Sequence, residues 1–191
     1  MSFFSSPGAT QAIALAYDMI QVGRAERVVV IAGDSASSDN LLPWLGNGFR
    51  ILGAATITSD LSLAAKPFGA ARTGMILGSG GIGMVLESEA AAVQRHLASK
   101  SASSDGVRAP FKCRLLGTLL SNSAYHGASM DKVHIAEELE RFVSSMEVEH
   151  GLTRQELAAQ GVYFSHETGT HASPATSCAA NEVSFSFALS V

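Results

Sequence analysis

Apolar positions near the start of the chain recur in a helical rhythm and then close up into an unbroken run. Ile13, Ala16, Tyr17 and Ile20 fall on one helical stripe. Ser6-Pro7 suits the start of that helix, because serine caps free backbone N–H groups and proline fits the first helical position. Gly23 is placed to close it. Arg27 to Gly33 (RVVVIAG) is β-branched throughout its centre and reads as a strand buried on both faces, as in a parallel or mixed sheet. Asp34 to Asn40 has the composition of a loop, and a short helix is expected around Trp44 to Leu52.

The second half repeats the alternation. Gly81 to Glu87 reads as a strand and Ser88 to Ser99 as an alanine-rich helix. Lys100 to Pro110 (KSASSDGVRAP) is a solvated loop, and Phe111 to Leu120 has strand character. Asp131 to Val148 gives the clearest helical pattern, with Ile135, Leu139, Phe142, Val143 and Met146 on one face and acids on the other. Thr153-Arg154-Gln155-Glu156 is a capping box that opens a further helix. Gly161 to Ser165 reads as a strand that delivers His166-Glu167-Thr168-Gly169-Thr170 at its end. Helices alternating with strands make the class α/β, and there is no internal repeat.

Composition narrows the function classes. The chain has 191 residues, 47% of them apolar and 16% charged, which excludes a disordered chain. This length suits one domain, or a domain and a piece, and buries roughly two thirds of the unfolded surface. The net charge is −4 and there is no Lys/Arg cluster, so no nucleic-acid partner is expected. No apolar run reaches the ~18 residues of a membrane span, and Met1 to Gln11 lacks the basic region of a secretory signal. Cys113 and Cys178 are too few for a disulfide scaffold and read as buried reduced thiols. The expected setting is the cytoplasm, with an organelle as the alternative.

Candidate chemistry is sparse. Gly78-Ser79-Gly80-Gly81-Ile82-Gly83 leads into a strand rather than opening a helix, and it lacks the phosphate-binding lysine. It reads as a close-packed glycine turn, not a nucleotide loop. His96, His134 and His150 fall on helix surfaces or ends. No histidine or cysteine pair has metal-ligand spacing, so no metal is expected. His166, where a strand meets a small polar loop, stands where α/β folds place ligand-binding groups. Ser6, at a helix N-terminus, is either a plain cap or a nucleophile favoured by the helix dipole.

Taken in order, four segments resemble the β-ketoacyl-acyl-carrier-protein synthases, thiolase-like condensing enzymes. The most specific is Lys66-Pro67-Phe68-Gly69-Ala70-Ala71-Arg72-Thr73-Gly74 through Gly81, against the family pattern R-P-F-D-x-x-R-x-G-F-x-x-G-E-G-A. Pro67, Phe68, Arg72, Gly74, Gly78 and Gly80 fall in register, while Gly69 and Ser79 replace family acids. The helix from Gly8 and the strand ending at Gly33 are similar to the family's nucleophile helix and following strand. Ser121 to His126 is similar to its S-D-A-Y-H segment, and Tyr163 to Thr170 to the N-A-H-G-T-S-T segment that carries the first catalytic histidine.

The resemblance implies an incomplete thiolase-like layered α/β/α fold with mixed sheets, spanning 1–191 with an off-pattern tail at 184–191. It implies a decarboxylative Claisen condensation. A cysteine thiolate takes the acyl group from a thioester and releases the carrier thiol. Malonyl on acyl carrier protein then loses CO2, and its carbanion attacks the enzyme thioester. By position, His166 is the first of two histidines that support the developing negative charge. Thr168 and Thr170 match the threonines of the substrate-binding loop. The phosphopantetheine arm belongs to the carrier, so no cofactor is expected.

Two departures follow from the same register. The nucleophilic cysteine falls at Ser6, with Ser5 one residue away, and a serine hydroxyl ionises several pKa units above a thiol. The G-H-x-x-G-A-x-G segment with the second histidine is missing. The chain is therefore expected to be impaired or inactive alone, as the middle of a longer fold. The alternative is a non-catalytic subunit of the chain-length-factor type that pairs with an active synthase, as the family's homodimers pair. A serine acyltransferase using Ser6 and His166 is a third reading, without G-x-S-x-G. Ser6 and His166 are expected to approach each other across the site.

Overall fold

The computed structural model describes residues 8–64, 66–100, 111–122, 131–162, 164, 166 and 168–171. They fall into two compact units, each assembled from separated stretches of chain. One takes the described residues of Ser6–Gly33 and Gly81–Leu120; the other takes those of Asp34–Gly80 and the chain from Ser121 onward.

The first unit opens with α1 (Gly8–Gln21), whose Ala14 and Ala16 are buried. Ile13, Tyr17 and Ile20 are half-buried beside them, as the stripe predicts. Gly23, at φ 70°, ends the helix. Its N–H donates to the Ile20 carbonyl at 3.1 Å, and the Arg24 N–H reaches back to Met19 at 2.9 Å. This pair of bonds satisfies carbonyls that the last helical turn leaves open. Ser6 and Pro7 lie outside the described residues.

Two strands follow, β1 (Arg27–Ser35) and β2 (Ser79–Glu87), paired in an antiparallel two-stranded sheet. The Ser88 N–H donates to the Glu26 carbonyl at 2.8 Å, which sets the register at that end. Burial on both faces was the expectation for Arg27 to Gly33, and the structure corrects it. Val28, Val30 and Ala32 are at least half-buried, whereas Val29 is 59% and Ile31 80% exposed. Alternate side chains of a strand point to opposite faces, so among the described residues one face of β1 is covered and the other is open.

The glycine run is also corrected. Gly80, Gly81 and Gly83 lie inside β2 rather than in a turn. A methyl group built on Gly78, Gly80 or Gly83 would meet nothing within 4 Å, so close packing does not explain them. Phe111 to Leu120, expected as a strand, joins no sheet. The Leu116 carbonyl there accepts the Tyr17 hydroxyl at 3.1 Å, a side-chain bond in place of a ladder bond.

α3 (Glu89–Lys100) starts at Ser88, whose hydroxyl accepts the Ala91 N–H at 3.2 Å. Glu87 ties this helix to the sheet. Its carboxylate takes Arg95 in a bidentate grip, with a shortest contact of 2.7 Å, and Arg27 of β1 at 2.7 Å. The Glu87 side chain is 11% exposed. The hydrogen bonds from Arg95 pull its pKa from 4.5 down to about 2, with Arg27 adding to the pull and desolvation opposing it.

In the second unit a wide π-type turn, Leu42–Gly46, runs into α2 (Asn47–Ile51), where a short helix was expected. α4 (Lys132–His150) begins at Asp131, whose carboxylate accepts the N–H groups of Val133 and His134 at 3.0 and 3.2 Å. Met146 is buried, and Ile135, Leu139, Phe142 and Val143 are half-buried on the same face. Gly151, at φ 64°, stops the helix. α5 (Arg154–Gln160) opens on the expected capping box between Thr153 and Glu156. Arg154 joins the two helices by reaching Glu147 at 2.8 Å, Ser144 at 2.7 Å and also Glu140. Beyond α5 no strand forms among the described residues of 161–165, and Val162 and Phe164 are 77% and 90% exposed. No helix among the described residues is long and apolar enough to cross a membrane.

Two stability measurements check these features. The folded pKa of Glu87 lies below its unfolded value of 4.5, so its ion pairs stabilise the fold above that pH. The contribution is lost as the pH falls from 4.5 toward about 2. Between about pH 6 and pH 2 the wild type should lose roughly 1 kcal/mol more than Glu87→Gln, a figure discounted for solvent around the guanidinium groups. Parallel losses in acid titrations followed by circular dichroism would show that the pair is inert. Thr153→Ala should cost about 1 kcal/mol in denaturant unfolding, and Thr153→Ser should recover most of it.

Candidate functional site

The segment from Lys66 to Met75 builds a small scaffold from its own backbone. The Gly69 N–H donates to the Lys66 carbonyl at 3.1 Å, and the Arg72 Nε donates to the Gly69 carbonyl at 3.0 Å. These bonds close a loop that holds Pro67 and leaves Phe68 73% exposed. Thr73 follows. Its hydroxyl lies 2.7 Å from that of Thr56 and 3.4 Å from the Leu63 carbonyl. If Thr73 donates to the carbonyl, Thr56 donates to Thr73, and both hydroxyls are satisfied.

Gly74 and Met75 then pair with an earlier stretch of chain. Met75 donates to the Ala54 carbonyl at 2.8 Å, and Thr56 donates to the Met75 carbonyl at 3.0 Å, forming a parallel bridge between Ala55 and Met75. Gly74 has φ 120°. A Cβ there would sit 2.7 Å from Ala55 C and Thr56 N, closer than any real side chain stands. The N–H of Gly74 points to a third piece of chain and donates to the Gly169 carbonyl at 3.0 Å.

That third piece is the loop carrying the candidate site residues. Gly169 is buried and has φ 79°. Thr168 and Thr170 flank it, half-buried, and the Thr168 hydroxyl donates to Thr170 at 3.1 Å. His166 is exposed, and so is His171. The structure therefore places His166, Thr168 and Thr170 on one short loop that rests on the 66–75 segment. His166 is not delivered by a buried strand, as the sequence suggested: among the described residues before it none forms a strand, and Val162 and Phe164 are exposed. Ser6, its expected partner, lies outside the described residues, as do His126 and Cys178. Cys113, expected to be buried, is instead an exposed free thiol.

The other histidines are spread out. His96 is half-buried on α3 and His150 exposed at the end of α4. His134 is half-buried, with its Nε2 3.2 Å from the Ser121 hydroxyl. Among the described residues no group of three His, Cys, Asp or Glu could hold a metal ion. Chemically, the loop offers an imidazole reachable from solvent with two hydroxyls close in sequence. The imidazole can donate a hydrogen bond to a carbonyl oxygen or a developing oxyanion.

Sequence reasoning missed the supporting residues. Gly74 stood in the recognised register, but nothing in the spacing said that its amide serves the residue 169 carbonyl. Thr56 lies in a stretch without clear periodicity. Its one signal was a β-branched hydroxyl, which many surface positions share.

No protein-family model matches the chain, and no curated protein matches it by sequence. Solved structures do resemble it. One is a β-ketoacyl synthase from Burkholderia phymatum STM815, at 18% identity and a TM-score of 0.63, with 95% of this chain covered. Another comes from AntDE:AntF, a type II polyketide-synthase acyl-carrier protein in complex with its ketosynthase bound to the hexaketide. It matches at 21% identity and a TM-score of 0.66, with 93% of this chain covered. In both cases the match spans 39% of the neighbour's own length. The chain carries part of the thiolase-like fold found in ketosynthases.

Proposed function

We propose that this chain is a partial ketosynthase domain, derived from enzymes that extend acyl thioesters with malonyl units on acyl carrier protein. The observation that carries this reading is the packing of the His166 loop on the 66–75 segment. The two most family-like stretches, about a hundred residues apart in the chain, meet through the bond from Gly74 to Gly169. The likeness to solved ketosynthases, one of them in complex with its carrier protein, supports the same reading.

In this reading His166 donates a hydrogen bond to the malonyl thioester oxygen as CO2 leaves and charge builds there. Thr168 and Thr170 shape the loop that receives the thioester arm. Position 6 carries the acyl group in the family, and serine is a poor substitute there. Its hydroxyl is almost wholly protonated at neutral pH, so it offers little nucleophile. Condensation by the isolated chain is therefore not expected. A second reading, that of a non-catalytic subunit bound to an active synthase, draws on Ser6 and on the open apolar face of β1 and β2. Val29, Ile31 and Val85 are 59%, 80% and 58% exposed there, a face suited to cover by another surface.

Incubation with acyl and malonyl carrier thioesters tests the proposal. The purified wild type should give no chain extension above background. Ser6→Cys should take up one acyl group from an acyl thioester, seen as a mass increase, and His166→Ala in that background should retain acylation. Extension by the wild type overturns the impaired-enzyme reading. Absence of acylation in both Ser6→Cys and Ser5→Cys overturns the assignment of the nucleophile position. Stable co-purification with a full-length synthase would favour the subunit reading over the fragment one.

A further inference from the structure

A side chain at Gly74 would clash with the 54–56 backbone, and one at Gly169 would crowd the Gly74 carbonyl oxygen. A Cβ on Gly169 would stand 3.0 Å from the Gly74 carbonyl oxygen and 3.9 Å from the Pro67 Cα. A Cβ on Gly74 would stand 2.7–2.8 Å from the backbone of Ala54, Ala55 and Thr56. Each glycine also holds a φ that L side chains rarely adopt, 120° and 79°. Three strands of backbone thus cross at one point with no side chain between them. Two exchange hydrogen bonds through Met75, and the third is tied on through Gly169.

We propose that this glycine pair is the positioning element of the site: it sets the direction in which the loop presents His166, Thr168 and Thr170. Neither glycine touches a substrate in this assignment. They act through the loop, in which His166 lies three residues before Gly169. The inference rests on the proposed ketosynthase reading for the word "site", but its geometry is independent of any activity. A side chain at 74 must displace the 54–56 backbone or Gly74 itself, which carries the bond to Gly169, because every contact is with backbone. A side chain at 169 crowds the Gly74 carbonyl oxygen, a backbone atom that the Met75 bridge holds in place. In either case His166 must take up a new environment.

The readout is the His166 imidazole by NMR, assigned by its loss in His166→Gln. In Gly169→Ala and Gly74→Ala its ring resonances should move, while those of His134 and His150 on α4 stay in place. Gly151→Ala is the control, since that glycine has φ 64° but no atom within 4 Å of a built Cβ. It should lower stability and leave His166 unmoved. An unchanged His166 in a folded Gly169→Ala protein overturns the proposal. Should either variant fail to fold, amide exchange in the wild type decides. The Gly74 amide should exchange on the order of 100-fold more slowly than an unstructured glycine, and exchange at the unstructured rate overturns the tie. None of these signals needs condensing activity, so failure of the Ser6 acylation test leaves this one standing, and the reverse holds too.

Discussion

The second unit depends on a backbone crossing in which the absence of side chains is the bonding requirement. At Gly74 the chain must pass within contact distance of Ala54–Thr56 while sending its N–H to Gly169. Backbone polar groups that are brought together away from solvent need partners, and here each segment supplies the other's. The geometry explains why glycine stands at both contact points. Thr56 and Thr73 meet beside the crossing, with their hydroxyls 2.7 Å apart. The loop with His166 is then attached to a rigid scaffold even though His166 itself is exposed.

Charge does comparable work in the first unit. Exposed ion pairs usually add little, because water screens them and two long side chains lose freedom. Glu87 differs in two ways. It is nearly covered, and it receives guanidinium groups from two other elements, so one carboxylate joins β1, β2 and α3. Arg154 plays the matching part between α4 and α5, with Glu140, Glu147 and Ser144 arranged around one planar group. In both clusters a single half-buried charge is shared among two or more elements. The buried apolar residues among those described are mostly alanines, with Val30 and Met146 the larger ones.

The open face of the sheet shows where periodicity misleads. Val28 to Ile31 carries β-branched side chains at both odd and even positions, so the run looks as if both faces were covered. The structure covers Val30 and leaves Ile31 open. The same sequence property, apolar residues of both parities, is compatible with cover on one side by this chain and on the other by something else. The matched ketosynthases continue well beyond the region that this chain resembles. Phe111 to Leu120 misleads in a related way. Its strand-like composition is real, but the Leu116 carbonyl answers a tyrosine hydroxyl, and no register with β1 or β2 forms.

Local chemistry was legible in the residues themselves. The closure at Gly23, the Thr153–Glu156 box and the buried face of α4 all depend on groups close to each other along one helix. Such contacts recur wherever the same spacing occurs, so a linear reading finds them. The order of family-like segments was legible for the same reason, and it named His166, Thr168 and Thr170 as members of one loop. Tertiary structure alone decided what lies under that loop. The Gly74–Gly169 tie joins positions 95 residues apart, and no periodicity or cap encodes a contact at that separation. It arises because chain closure brings two glycines to one place, where the lack of a Cβ lets backbone meet backbone.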